Sequence, residues 1–364
     1  MKRKSLTTKE HPGLMPVQAK NIKEHQGALG DIRRIYQPFI GWSARTKPAT
    51  RKSKMIIGLA AALLLALPAQ TALAHDGQPP APHDLWNAWN WDPAILAGLA
   101  LGVWGYAASW NELRRRAASQ DPGAGWHPAS FAAGLLALFV ALISPLDTLS
   151  AALFSGHMLQ HTLLIVVAPP LLVWGMPPGS FLLALSPPLR KGLTRWWHTT
   201  RWLKPAWRAV TQPWAAWALN VLALWVWHVP GLYQAALQDE ALHTLEHLAF
   251  TGTSLLFWWA ITRPTARSSI LALFTMAVQS GLLGALMTFA PSPWYAAYAA
   301  MTGPWGLSPL EDQQLAGAIM WIPVGVVYTV AALLLLGHHL AQIERRAEER
   351  ENPRANKSNE ESPA

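Results

Sequence analysis

The chain has 364 residues, 51% hydrophobic and only 13% charged, with 21 Trp, no Cys and a net charge of +9. Soluble chains carry about 25% charge, so this deficit marks a membrane protein, and the missing thiols exclude disulfides, iron–sulfur clusters and thiolate metal sites. The basic excess forms no nucleic-acid patch, since Lys and Arg sit in residues 1–54 and in short segments between apolar runs, as topology signals do.

Residues 1–54 are polar and patternless, and are expected to be a disordered or mis-called N-terminal extension, from a start codon placed too far upstream. Arg51, Lys52 and Lys54 then precede the apolar run 55–67, and Ala72-Leu73-Ala74 supplies an A-x-A cleavage site, so 55–74 reads as a signal peptide. A run that short does not span comfortably, because about 20 apolar residues are needed. Residues 75–92 form a periplasmic segment in which Trp86, Trp89 and Trp91 suit an interfacial belt.

The membrane domain, 93–340, is expected to be an all-α, polytopic bundle of seven transmembrane helices at 93–110, 128–143, 154–174, 214–228, 243–262, 269–290 and 314–336. Loop charge orients it. Arg114-Arg115-Arg116, then Arg190 through Arg208, then Arg263 and Arg267, then Arg345, Arg346 and Arg350 occupy alternate connections. The intervening connections 144–153, 229–242 and 291–313 contain no Lys or Arg. Every loop therefore places the amino terminus outside and the carboxy terminus in the cytoplasm, in a multi-pass topology. The stretch 189–210, with Trp196, Trp197, Trp202 and Trp207 among basic residues, reads as an amphipathic helix on the inner-leaflet lipid. Residues 341–364 are expected to be a disordered cytoplasmic tail.

That topology brings five histidines to one depth, at the periplasmic face. His157 and His161 open the third span, His228 closes the fourth, and His243 and His247 open the fifth with Glu246 beside them. Residues i and i+4 share one helix face about 6 Å apart, so each pair can address one ion or two neighbouring ions. Imidazole in an apolar span is costly unless something binds it. The competing reading is a hydrogen-bonded polar network without metal. Asp92, Asp147, Asp312, Gln313, Met158 and Met320 gather at the same end as accessory groups, the carboxylates able to accept the second ring N–H; Asp312 alternatively reads as a helix N-cap. Imidazole and thioether without thiolate suit copper, zinc or iron, and the outer compartment with nearby Met tilts the choice toward copper.

At these residues the chain resembles the CtaG family of cytochrome c oxidase assembly factors, polytopic proteins with a seven-helix core. The resemblance rests on His157-Met158-Leu159-Gln160-His161 leading into Ala168-Pro169-Pro170-Leu171-Leu172 and Gly175-Met176-Pro177, and on Trp227-His228-Val229-Pro230 with Tyr233 and Ala236-Leu237. It continues through His243-Thr244-Leu245-Glu246-His247, Trp258-Trp259, and Asp312-Gln313-Gln314-Leu315-Ala316-Gly317 with Met320-Trp321, covering about residues 85–340. It implies an assembly role rather than catalysis, with copper helped to oxidase subunits from outside. A haem-binding electron-transfer protein is the alternative. A di-iron hydroxylase would place its histidines on the cytoplasmic side, and a retinal protein needs a Schiff-base lysine, which none of the spans contains.

Overall fold

The computed structural model describes residues 81–120, 126–176, 180–262 and 266–351. The extension, the signal peptide and the last residues of the tail lie outside the described residues. Helices α1 (Pro93–Gln120), α2 (His127–Leu142) and α3 (Pro145–Ala152) come first. Next are α4 (Phe154–Thr162), a π-turn (Leu163–Val167), α5 (Ala168–Gly175) and α6 (Phe181–Ala184). The second half holds α7 (Pro187–Thr199), α8 (Leu203–Val210), α9 (Pro213–Trp227), α10 (Pro230–Gln238), α11 (Glu240–Ile261), α12 (Ala266–Thr288) and α13 (Pro309–Glu351). Among the described residues there are no strands.

All seven expected spans are helical. Among the described residues, four stretches are long and apolar enough to cross a membrane: Pro93–Trp110, Phe154–Gly175, Ser268–Thr288 and Pro309–Glu344. The count reaches six if the bent pairs α2–α3, at 44°, and α9–α10, at 76°, are each one span. Helix α11 is outside that set because Glu240, His243, Glu246 and His247 dilute its apolar sequence.

The α4–π-turn–α5 stretch is the axis of the bundle. Eight of the nine α4 residues are buried, Leu159 alone being exposed. Its neighbours are α13 and α3 along α4, and α2 and α11 along the π-turn and α5. The π-turn follows from Pro169, which lacks the N–H that would bond the Ile165 carbonyl in a regular helix. Ser254 Oγ and Trp258 Nε1 of α11 donate to that carbonyl instead. Gly284 and Gly317 let α12 and α13 approach backbone to backbone: a Cβ on Gly284 would lie 2.6 Å from the Gly317 carbonyl oxygen.

Two expectations need correction. The surface stretch at 189–210 is two helices, α7 and α8, broken at Thr200–Trp202, and Trp196 and Trp202 project from it at 56% and 65% exposure. The tail expected to be disordered from residue 341 instead continues α13 to Glu351. The sequence there places Arg345 and Glu349 at the i,i+4 spacing that supports a helix.

Candidate metal centre

Helix α4 starts where it does because of a residue from another helix. Leu153 is extended, separating α3 from α4, and Asp312 of α13 accepts the amides of Phe154 at 2.7 Å and Ser155 at 3.0 Å. It also accepts the Ser155 hydroxyl at 2.5 Å. The carboxylate satisfies the first α4 donors and complements the positive end of the helix dipole. Asp312 is thus a cap, but for α4. Its own helix is closed by a capping box, Ser308 Oγ accepting from Glu311 N at 3.3 Å and Glu311 Oε2 accepting from Ser308 N at 2.8 Å.

One turn into α4, His157 and His161 face α11. Their Nε2 atoms are 2.8 Å apart and both side chains are fully buried. His243 and His247 lie alongside, with ring centroids 5.3 Å from His157 and 5.6 Å from His161 respectively, and 4.2 Å from each other. His228, at the end of α9, closes the group 6.0 Å from His161. The fold therefore brings together all five histidines named from sequence.

Glu246 sits between the two pairs and is completely buried. Its Oε1 is 3.7 Å from His161 Nε2 and its Oε2 4.0 Å from His157 Nε2. Neither oxygen has a hydrogen-bond partner, nor have His161 Nδ1, His243 Nε2 and His247 Nε2. Buried polar atoms are almost always paired, and here several unpaired donors and acceptors are concentrated in one place. Two triads bring one donor atom each to within 4.8 Å of one another: His157, His161 and His247, and His157, His243 and Glu246.

This donor set fits a first-row cation. The groups are imidazole, carboxylate and, beyond His228, thioether: Met158 Sδ lies 3.4 Å from His228 Nε2. His228 Nδ1 donates to the Leu224 carbonyl at 2.6 Å, so in the neutral ring Nε2 carries a lone pair facing the sulfur. A metal at about 2.0–2.1 Å from each nitrogen sets tetrahedral ligands about 3.3–3.4 Å apart. The His157 and His161 rings would open by only about half an ångström to admit it.

The other accessory residues do different work. Asp92 caps α1, accepting from Ala94 N at 2.6 Å and Ile95 N at 3.2 Å. Gln313 pins the 289–308 connection, accepting the Trp294 amide at 2.6 Å. Met320 lines a small cavity of about 10 Å³ beneath His161, together with Met276, Ser280 and Tyr328. Asp147 accepts from Asn90 and Gln160, at 2.8 Å each, away from the histidines.

Sequence reasoning missed the tyrosines. Tyr298 OH lies 3.1 Å from His157 Nδ1, 2.9 Å from Tyr233 OH and 3.0 Å from the Ser150 carbonyl. Tyr295 OH donates to the His228 carbonyl at 2.8 Å. Burial pushes both loop phenols above the ordinary tyrosine range, so they stay protonated. They come from a connection without periodicity, and their spacing carried no signal.

A helical membrane protein holding a buried histidine cluster at one end of its bundle is the class that these coordinates define. The chain belongs to the cytochrome c oxidase caa3 assembly factor family (Caa3_CtaG), whose model matches residues 104–342. It is similar to uncharacterised proteins of Mycobacterium bovis and Mycobacterium tuberculosis, each 28% identical over 292 residues, 76% of this chain and 43% of theirs. An uncharacterised Mycobacterium leprae protein is 27% identical over 275 residues, covering 71% of this chain and 40% of its own. The chain thus spans less than half the length of these curated relatives. No solved structure matches it.

Proposed function

We propose that this assembly factor receives a copper ion in its histidine cluster and passes it to a cytochrome c oxidase subunit. The observation that carries the reading is the set of buried, unpartnered ligand atoms on His161, His243, His247 and Glu246 around the His157–His161 pair. The family supplies the oxidase as partner, and thiol-free N, O and S donors are compatible with copper. Loop charge favours seven spans with the cluster at the periplasmic face of the inner membrane, as the positive-inside rule orients the basic connections inward.

In this reading the protein is a carrier without turnover. His157, His161 and His247 take the cargo, Tyr298 orients the His157 ring, and Asp312 fixes the helix from which both α4 ligands project. Carriage demands a site that holds the ion yet exchanges it, which suits a cluster with more donors than one ion uses. Replacing His157 and His161 together by Gln should lower the copper content of the oxidase while the variant still inserts. Fully copper-loaded, active oxidase in cells carrying that double variant would refute delivery. A Soret band on the purified protein would favour haem binding instead.

A further inference from the structure

We infer that a single ion has two alternative positions in the cluster, both sharing His157, so that cargo moves by exchanging the other ligands around one fixed nitrogen. This rests on the metal reading above and adds to it a mechanism for release.

The Ser150 carbonyl fixes the His157 tautomer. In a continuous helix it would accept from the Phe154 amide, but that amide is given to Asp312. Tyr298 OH donates to the Ser150 carbonyl instead. A phenol has one proton, so with it committed the Tyr298 oxygen can only accept, from Tyr233 OH and from His157 Nδ1–H. The proton of neutral His157 is therefore held on Nδ1, and Nε2, 2.8 Å from His161 Nε2, carries its one ring lone pair.

Both candidate triads contain His157. A single lone pair binds a single ion, so the two triads exclude one another. They also differ chemically: one is three imidazoles, His157, His161 and His247, while the other replaces two of these by His243 and the harder carboxylate of Glu246. Of their remaining members, His161 belongs to α4 while His243, Glu246 and His247 share α11, and the Glu246 oxygens face the Nε2 atoms of both α4 histidines. An ion can thus shift between the sets without losing every ligand at once.

The test uses the full chain purified in detergent and titrated with Cu(II), following stoichiometry by elemental analysis and ligand environment by electron paramagnetic resonance. Two double variants remove the unshared ligands of each triad: His161→Gln with His247→Gln, and His243→Gln with Glu246→Gln. The wild type should take up one ion. Each double variant should also take up one ion, in the triad that it keeps, the stronger triad retaining at least about half of the wild-type affinity because the two positions add in the wild type, and the two should give different spectra. His157→Gln should lose more affinity than either. Should a double variant fail to fold, the single changes His247→Gln and His243→Gln, at half-buried residues, give the same comparison. Two ions at saturation would overturn the shared pivot. So would one double variant abolishing binding while the other leaves it unchanged, which describes one fixed site. A wild type that binds nothing defeats the metal reading itself, and this inference with it.

Discussion

Asp312 accepts the amide of Phe154 at 2.7 Å across 158 residues of sequence. One carboxylate on the last long helix thereby decides where the histidine-bearing helix begins. Asp312→Ala would strand two buried amides and a hydroxyl. We expect a loss of about 2–4 kcal/mol, since charge-assisted bonds to buried donors contribute about 1.5–3 kcal/mol each and are partly replaced on relaxation. Asp312→Asn should cost less, keeping one acceptor oxygen. Thermal unfolding in detergent reads both, and an unchanged midpoint for the alanine variant would contradict the capping role.

The Ile165 carbonyl offers a second test. Ser254→Ala with Trp258→Phe should cost about 1–3 kcal/mol by leaving it unpaired. In a Pro169→Ala background the restored amide can bond that carbonyl, so the same pair of changes should cost distinctly less. A double-mutant cycle measures this coupling. Strictly additive losses would mean that the proline does not cause the π-turn.

Glycine positions separate close packing from open space. Gly284→Ala should cost about 1–3 kcal/mol, as overpacking does, because its Cβ would press on the Gly317 carbonyl oxygen. Gly252→Ala meets no atom within 4 Å inside α11, and should leave stability unchanged or raise it by up to about 1 kcal/mol. Equal effects at the two sites would argue against the tight α12–α13 contact.

Much of this fold was legible because its signals are local. Apolar runs located the seven long helical segments, and the i,i+4 pairs with the loop charges brought five histidines to one end, whereas the short helices α3, α6 and α10 fell in stretches that read as connections. What was not legible depends on contacts between distant segments. Asp312 read as the cap of its own helix, but Ser308 and Glu311 do that work in a motif that sequence reading passed over. Tyr298 lies in a connection with no repeating pattern, so nothing marked it as the partner of His157. Gln313 and Asp92 shared the correct end of the bundle yet serve the backbone, because proximity along the membrane normal does not set side-chain direction. The continuation of α13 to Glu351 was hidden by its charge, which reads as solvated chain until the helical pairing is counted.

Orientation can be tested directly because the chain has no Cys. Ala299→Cys, exposed in the connection before α13, should react with a membrane-impermeant maleimide added to spheroplasts. Lys191→Cys, exposed on α7, should react only after the membrane is opened. The reverse pattern would place the histidine cluster on the cytoplasmic side and remove the basis for delivery from outside.

The most direct measurement is the metal content of the purified wild-type protein, taken from copper-supplemented cells and compared with the His157→Gln, His161→Gln variant. The account predicts copper in the wild type near one ion per chain, lost in the variant while its helical content and unfolding midpoint persist. Equal metal in the two proteins, or none in either, would contradict the claim that these buried imidazoles are ligands.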